Sequence, residues 1–381
     1  MSEESHAYDA SAIVVLEGLE AVRKWPGMYI GSVGERGLRH LVLEVAERAL
    51  NEVLGGTAGR VEITLTADGG VHVADDGTGL AVGHAGHDDG PPAETRLTEL
   101  WCGAPPADRR LLFGGHFGVG PAVVNALSSR LTAEVRRDGA RWVLEYEQGV
   151  PVGVPVRTGS ADGSGTVITF WPDTEIFETL EFSFDTLTER FREVAFLNRE
   201  LDITLTDDRN PAAPRAVRFR FPGGLGDYIA EQSAPLHPDV ICFEREYSEM
   251  AGTVEVALRW CDRRDERIAS YANGLPTTGG GTHELGFRDG LAAALTAYAR
   301  EQRLLGSSDP EFTPLQLGTG LTAVVSVKLD RPELEGPTRD RLSNGPVRAC
   351  VTDAVREHLT AWLRANPAQA TAILARISTV A

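Results

Sequence analysis

Leu41–Leu54 reads LVLEVAERALNEVL. Apolar residues at Leu43, Ala46, Leu50 and Val53 recur at helical spacing, which predicts a helix with one face packed inward. Glu44, Arg48 and Asn51, at steps of four and three, project together from another face. A carboxylate at Glu44 can orient or deprotonate a water. Arg48, one turn later, can contact a phosphate or pair with Glu44. On this helix alone, the ordinary reading of such a face is a solvated run of ion pairs. The order of the stretches around it decides otherwise.

Downstream, Val61–Thr66 alternates as a strand, Asp68-Gly69-Gly70 is a hairpin turn and Val71–Ala74 is the partner strand. Asp75-Asp76-Gly77-Thr78-Gly79 follows at once. An aspartate at a strand end can accept a hydrogen bond from an exocyclic amine, and glycines let backbone approach a flat ring. By itself a DDG stretch is equally an ordinary turn. Residues 80–113 form a long connection rich in Gly, Pro, His and Asp, with the length of a lid or a disordered insertion. Gly114–Gly120 (GGHFGVG) then opens a helix, Pro121–Ser128, with proline just inside its start. Glycine-rich backbone entering a helix favours anions, although a tight turn has the same sequence. Leu131–Arg136, Arg141–Glu147 and Thr166–Trp171 read as further strands of an antiparallel sheet. Thr166 can hold a base edge through its hydroxyl. Residues 183–196 read as a helix and Asp202–Thr206 as a strand.

Upstream, residues 1–12 are a polar arm, Ile13–Val22 has helical spacing, and Arg23–Gly31 (RKWPGMYIG) is turn-rich. A second unit begins near Pro222-Gly223-Gly224. Its strands are Thr253–Cys261, Ile268–Ala272 and Leu321–Leu329, and its helices are Glu284–Gln302, Pro346–Ala365 and Pro367–Ser378. A chain of 381 residues accommodates two such cores.

Composition narrows the classes. Hydrophobic content of 42% and charged content of 24% are those of a globular protein. A net charge of −18 argues against direct DNA binding over the surface as a whole. Cys102, Cys242, Cys261 and Cys350 show no paired spacing, so neither a metal site nor a disulfide framework is expected. The polar start MSEESHAYDASA is no secretory signal, and no apolar run is long enough to span a membrane. A cytoplasmic protein with no membrane partner is expected.

A glutamate-bearing helix, a strand ending in DDGxG, a lid, GGxxGVG at a helix start and then GTxxxFWP, in that order, resemble the ATPase region of DNA gyrase B and topoisomerase IV. That region belongs to the gyrase–chaperone–histidine kinase–MutL superfamily. The matching stretches are Val15–Gly31 (VLEGLEAVRKWPGMYIG), Asp75–Gly79, Gly118–Ser128 (GVGPAVVNALS), Gly165–Pro172 (GTVITFWP) and Gly280–Arg288 (GGTHELGFR). The resemblance covers essentially the whole chain. It implies an α+β fold of two domains: a Bergerat-type ATP-binding α/β sandwich at 1–220 with an N-terminal dimerisation arm, then a transducer domain of the ribosomal protein S5 type at 221–381. It also implies ATP as ligand, an ATP-linked homodimer and a gyrase subunit as a partner. No acidic metal cluster of the DNA-cleaving kind is present in the sequence, so a stand-alone relative that does not cleave DNA by itself is expected.

Position by position, the resemblance gives Glu44 the role of general base and Asp75 that of adenine reader, supported by Thr166. Gly79 and the run Gly115, His116, Phe117, Gly118, Val119 and Gly120 match the phosphate cradle. Tyr8 and Ile13 match the arm that reaches the partner's site, and Arg339 stands where the transducer sends a lysine to the terminal phosphate. Asn51 completes the helix face. Several positions depart from the family. Arg48 replaces the asparagine that binds Mg2+, and arginine has no lone pair to offer a cation. It either supplies the ion's positive charge to phosphate or pairs with Glu44 and damps its basicity. Thr78 stands for an arginine bonded to the acid at Glu52. Arg137 keeps a basic position in the coumarin-inhibitor region. The lid lysine aligns with Ala104, near Arg109 and Arg110. Phe117 replaces a histidine, and Pro337 a glutamine. Three functions fit: an ATP hydrolase of the topoisomerase type with an altered Mg2+ site, a non-hydrolysing decoy that binds gyrase or an inhibitor, and an enzyme turned to another ATP-dependent reaction on a small metabolite.

Overall fold

The computed structural model describes residues 16, 18–83, 91–100, 120–231, 235–336, 338 and 340–378. In chain order the first part holds α1 (Leu19–Lys24), α2 (Gly27–Ile30), α3 (Glu35–Leu54), β1 (Val61–Leu65), β2 (Val71–Asp75), α4 (Ala93–Thr98), α5 (Pro121–Ala126), β3 (Ser128–Arg137), β4 (Ala140–Glu147), β5 (Val150–Pro151), β6 (Val156–Ser160), β7 (Gly165–Pro172), α6 (Phe184–Phe196), β8 (Ile203–Asp207) and β9 (Arg215–Phe219). The second part holds α7 (Leu225–Glu231), β10 (Ile241–Tyr247), β11 (Gly252–Trp260), β12 (Arg267–Ala272), β13 (Leu275–Pro276), α8 (Thr282–Glu301), α9 (Pro314–Gly318), β14 (Leu321–Leu329), β15 (Leu334–Glu335), β16 (Arg341–Leu342), α10 (Gly345–Ala365) and α11 (Pro367–Ser378).

Among the described residues, nine strands form one sheet in the order β5-β4-β3-β7-β2-β1-β8-β9, with β6 also on β4. Its pairings are antiparallel except β1 with β8. On β1 and β2, alternate residues Val61, Ile63, Leu65, Val71 and Val73 are fully buried, as a half-covered antiparallel sheet requires. They pack with Leu41, Val42, Val45 and Ala49 of α3, and with Ile168 and Phe170 of β7. Each such fully buried side chain contributes about 1.5–3 kcal/mol. The helix starts six residues earlier than its apolar pattern and presents a wider buried stripe, because Leu38, Leu41, Val42 and Val45 also face the sheet.

The second sheet runs β10-β11-β14-β12-β13, with only β12 and β14 parallel. Helices α8 and α10 share a core with it, in which Trp260, Phe287, Leu295, Val325, Val351 and Leu359 are buried. Polar links join the two parts. Arg199 bonds Glu255 at 2.6 Å and lies 3.3 Å from Glu244, Lys328 donates to Asn198 Oδ1 at 2.8 Å, and Arg190 donates to the Gly274 carbonyl at 3.3 Å. Burial pushes the Glu255 carboxyl up and the Lys328 ammonium down.

Two sequence expectations shift. The first described helix is Leu19–Lys24, and residues 13–15 and 17 of the expected Ile13–Val22 helix lie outside the described residues. The helix after Gly120 ends at Ala126, and β3 begins at Ser128, because Ser128 already pairs with Pro172 of β7.

Candidate functional site

The site forms where α3 crosses the ends of β2 and β7. Asp75 is the last residue of β2, and its strand partner across the ladder is Thr166 of β7. The Asp75 side chain is completely buried. Its Oδ1 accepts the Gly77 N–H at 3.0 Å. The Thr166 hydroxyl, also fully buried, accepts the Leu80 N–H at 3.1 Å. Asp76 turns the other way and accepts the N–H groups of Gly59 and Arg60 at 2.7 and 3.1 Å, so the two adjacent carboxylates have separate tasks. Gly79 has φ +79°, and a Cβ there would lie 2.4 Å from the Arg136 carbonyl oxygen. Only glycine fits this approach.

Glu44 lies at the other end of the site. It is 4% exposed, and its Oε2 accepts the Gly120 N–H at 3.0 Å. His40, one turn earlier on α3, places Nε2 at 3.1 Å from Glu44 Oε1. Sequence reasoning misses His40, although its i,i+4 spacing to Glu44 is an available signal. The ring also borders a cavity of about 260 Å³ between α3, α6 and the Asn273–Gly274 turn.

Arg48 differs from the sequence reading that pairs it with Glu44. Its guanidinium does not pair with Glu44; Nη2 donates to Asp75 Oδ2. The reason is positional. Glu44 is engaged by Gly120 and His40, whereas the Asp75 carboxylate ends the strand on which α3 packs. The Arg48 side chain is 10% exposed, and its Nε and Nη1 have no hydrogen-bond partner among the described residues. The solvated-face reading of this helix therefore fails. Buried pairs of this kind lose about 3–5 kcal/mol when one partner is removed. Asn51, in the last turn of the same helix, is half-buried.

Near Thr78, Glu52 Oε2 accepts the Thr57 hydroxyl at 2.6 Å. Arg137 donates to the Gly79 carbonyl at 3.0 Å and borders a cavity of about 320 Å³ with Leu80, Val82, Trp142 and Arg157. Tyr8, Ile13, Ala104, Arg109, Arg110, Gly115, His116, Phe117, Gly118, Val119, Pro337 and Arg339 lie outside the described residues.

Comparison with known proteins places this arrangement. The sequence model of the family described as DNA gyrase B matches residues 224–381. The DNA gyrase B protein of Streptomyces coelicolor is 43% identical over 97% of this chain and 57% of its own length. The 43K ATPase domain of Thermus thermophilus gyrase B, solved in complex with an aminocoumarin, superposes with a TM-score of 0.79 at 33% identity, covering 95% of this chain and 94% of that one. The chain belongs to the DNA gyrase B family. The topoisomerase IV ATP binding domain of Francisella tularensis, in complex with a small molecule inhibitor, is similar as well: TM-score 0.76, 31% identity, 96% of this chain and 98% of that one. The two sheets with their helices are thus the α+β gyrase B ATPase-region fold. The chain spans a little over half the length of its full-length gyrase B relative.

A Mg2+ ion held through the position of Arg48 does not fit these residues. Guanidinium offers only donors, and this one is committed to Asp75. Among the described residues, no group of three His, Cys, Asp or Glu side chains is placed to hold a metal, and no helix is long and apolar enough to cross a membrane.

Proposed function

We propose that this gyrase B relative binds ATP between Asp75 and Glu44 and hydrolyses it, with nucleotide-linked closure of a homodimer. The observation that carries the reading is the pair of buried carboxylates at opposite ends of one helix–strand junction. Asp75 is set beside Thr166, and Glu44 is held by the Gly120 N–H and flanked by His40. Asp75 accepts the adenine amine, and Thr166 supports that edge. Glu44 takes the proton of a water whose oxygen attacks the terminal phosphorus while the bond to the ADP oxygen breaks. His40 holds the Glu44 carboxylate in orientation. Gly115–Gly120 cradle the phosphates, Arg339 reaches the terminal one, and Tyr8 belongs to the arm exchanged between protomers. The ATP-binding unit is 1–220 and the transducer 221–381. The setting is cytoplasmic, and a gyrase subunit is the natural partner.

Arg48 favours a second reading, a decoy that binds nucleotide or inhibitor without turnover, because a donor-only group stands at the magnesium position. Phosphate release from ATP, with Mg2+ and with chelator, beside Glu44→Ala, separates the two. Glu44-dependent release supports the ATPase, and its persistence in chelator means that Arg48 serves in place of the ion. ATP binding without release supports the decoy.

A further inference from the structure

We propose that Arg48 is a latch on the base-reading carboxylate, released by the phosphates of the ligand, so that this one residue makes the site select nucleotides over nucleosides. The inference rests on the nucleotide reading of the site and adds to it how the ligand is admitted and which part of it is required.

While the latch is closed, both oxygens of Asp75 already accept protein donors. Its side chain is completely buried, Oδ1 is bonded to the Gly77 N–H, and Oδ2 is bonded to Arg48. A base amine needs one of these oxygens. The Gly77 bond is fixed by backbone two residues away, so the movable partner is the guanidinium.

Moving it has a specific consequence. The bond between two opposite charges, Arg48 and Asp75, would be exchanged for one from an uncharged amine to the carboxylate, which lacks the ion-pair attraction. The displaced guanidinium, on a side chain only 10% exposed, would lose its counter-ion. A nucleoside brings no charge to replace it. A nucleotide does: its phosphates extend from the base end toward Glu44, one turn before Arg48 on α3. The guanidinium also has spare capacity, since Nε and Nη1 are buried with no hydrogen-bond partner among the described residues. Once Nη2 leaves Asp75 it completes a planar fork with Nε or with Nη1, and such a fork bonds a phosphate in pairs. One positive charge thus transfers from the base end to the phosphate end as the ligand enters. Asparagine, which the family resemblance gives at this position, is neutral and has no such charge to transfer.

The alternative geometry leaves Arg48 on Asp75 and uses its free N–H groups to read a ring nitrogen of the base. The two make opposite demands on a ligand without phosphates. The test is calorimetric titration of the wild-type chain, Arg48→Asn and Arg48→Gln with adenosine, ADP and β,γ-imido-ATP in chelator. Thermal melting of each protein establishes that it is folded, and the glutamine variant keeps a long polar side chain should asparagine perturb the helix. The latch predicts that adenosine binds both variants at least about ten-fold more tightly than wild type, while ADP and the ATP analogue gain nothing or weaken. The preference for ADP over adenosine then falls by ten-fold or more, about the size of that gain. Adenosine affinity that is unchanged or lower in both variants overturns the latch and, if lower, assigns Arg48 to base reading. Failure of all three proteins to bind any adenine ligand overturns the nucleotide reading itself, and the latch with it.

Discussion

The two ends of the site are both engaged by the protein's own groups, by unlike means. At the base end a buried carboxylate is held by a buried guanidinium, Asp75 by Arg48. At the phosphate end a buried carboxylate is held by a neutral backbone N–H, Glu44 by Gly120, with His40 beside it. The first is a charged pair whose exchange demands a replacement charge; the second is a carboxylate bonded to an uncharged backbone N–H, whose exchange demands none. The base end also stands on sheet, where Asp75 and Thr166 are ladder partners, whereas Gly120 opens a six-residue helix. Under the proposed nucleotide reading, the contrast gives selection of the ligand to the Asp75 end and chemistry to the Glu44 end.

Four substitutions or conditions break or sharpen that division. The largest effect is expected at the phosphate end: Glu44→Ala lowers phosphate release on the order of 10²–10⁴-fold while ATP affinity stays within a few-fold. Equal losses of turnover and affinity would erase the division. Next is Gly79→Ala at the base end, where positive φ and a Cβ 2.4 Å from the Arg136 carbonyl oxygen force backbone to move. A loss of about 3 kcal/mol in denaturant stability is expected, with weakened nucleotide binding. His40→Ala should reduce turnover about ten-fold and leave the melting temperature and ATP affinity near wild type, as a positioning residue does; rescue by His40→Gln identifies a polar donor beside Glu44 as its means.

The smallest effect lies outside both ends and bounds the pH at which they can be compared. His283 is fully buried against the Thr277 hydroxyl, and burial pushes its imidazole down to about 4. The native state therefore keeps it neutral while the unfolded chain protonates near its ordinary value of 6.5. Stability from this group is complete above pH 6.5 and is lost as pH falls toward 4, by about 1 kcal/mol at pH 6. Denaturant melts of wild type and His283→Gln between pH 5 and 8 should converge as pH falls. Parallel curves would refute the buried neutral imidazole.

Much of the architecture was legible because its signals are local. Leu321–Leu329 (LTAVVSVKL) is a strongly apolar stretch and is β14 to the residue, and Pro367–Ser378 is α11. What was missed lacks that signal. Val156–Ser160 is a strand exposed at all five positions, and Arg215–Phe219 is exposed at three of five, so neither shows a clear alternation. Ile241–Tyr247 does alternate, burying Ile241 and Phe243, but its charged outward residues lower its strand character. At the site, spacing on one helix links Glu44 to Arg48, and that logic pointed to the wrong partner. The true pair, Arg48 with Asp75, spans 27 residues and depends on how α3 packs on β2, which no pattern within either element encodes.

The proposed site stands or falls on Asp75 as the group that reads the adenine. The decisive measurement is equilibrium ATP binding by Arg48→Asn and by Arg48→Asn with Asp75→Asn, a background in which no buried guanidinium is stranded without its carboxylate. We expect the single variant to bind ATP and the second substitution to weaken binding on the order of 10²-fold with the melting temperature little changed. Equal ATP affinity in the two proteins would contradict the assignment of the site.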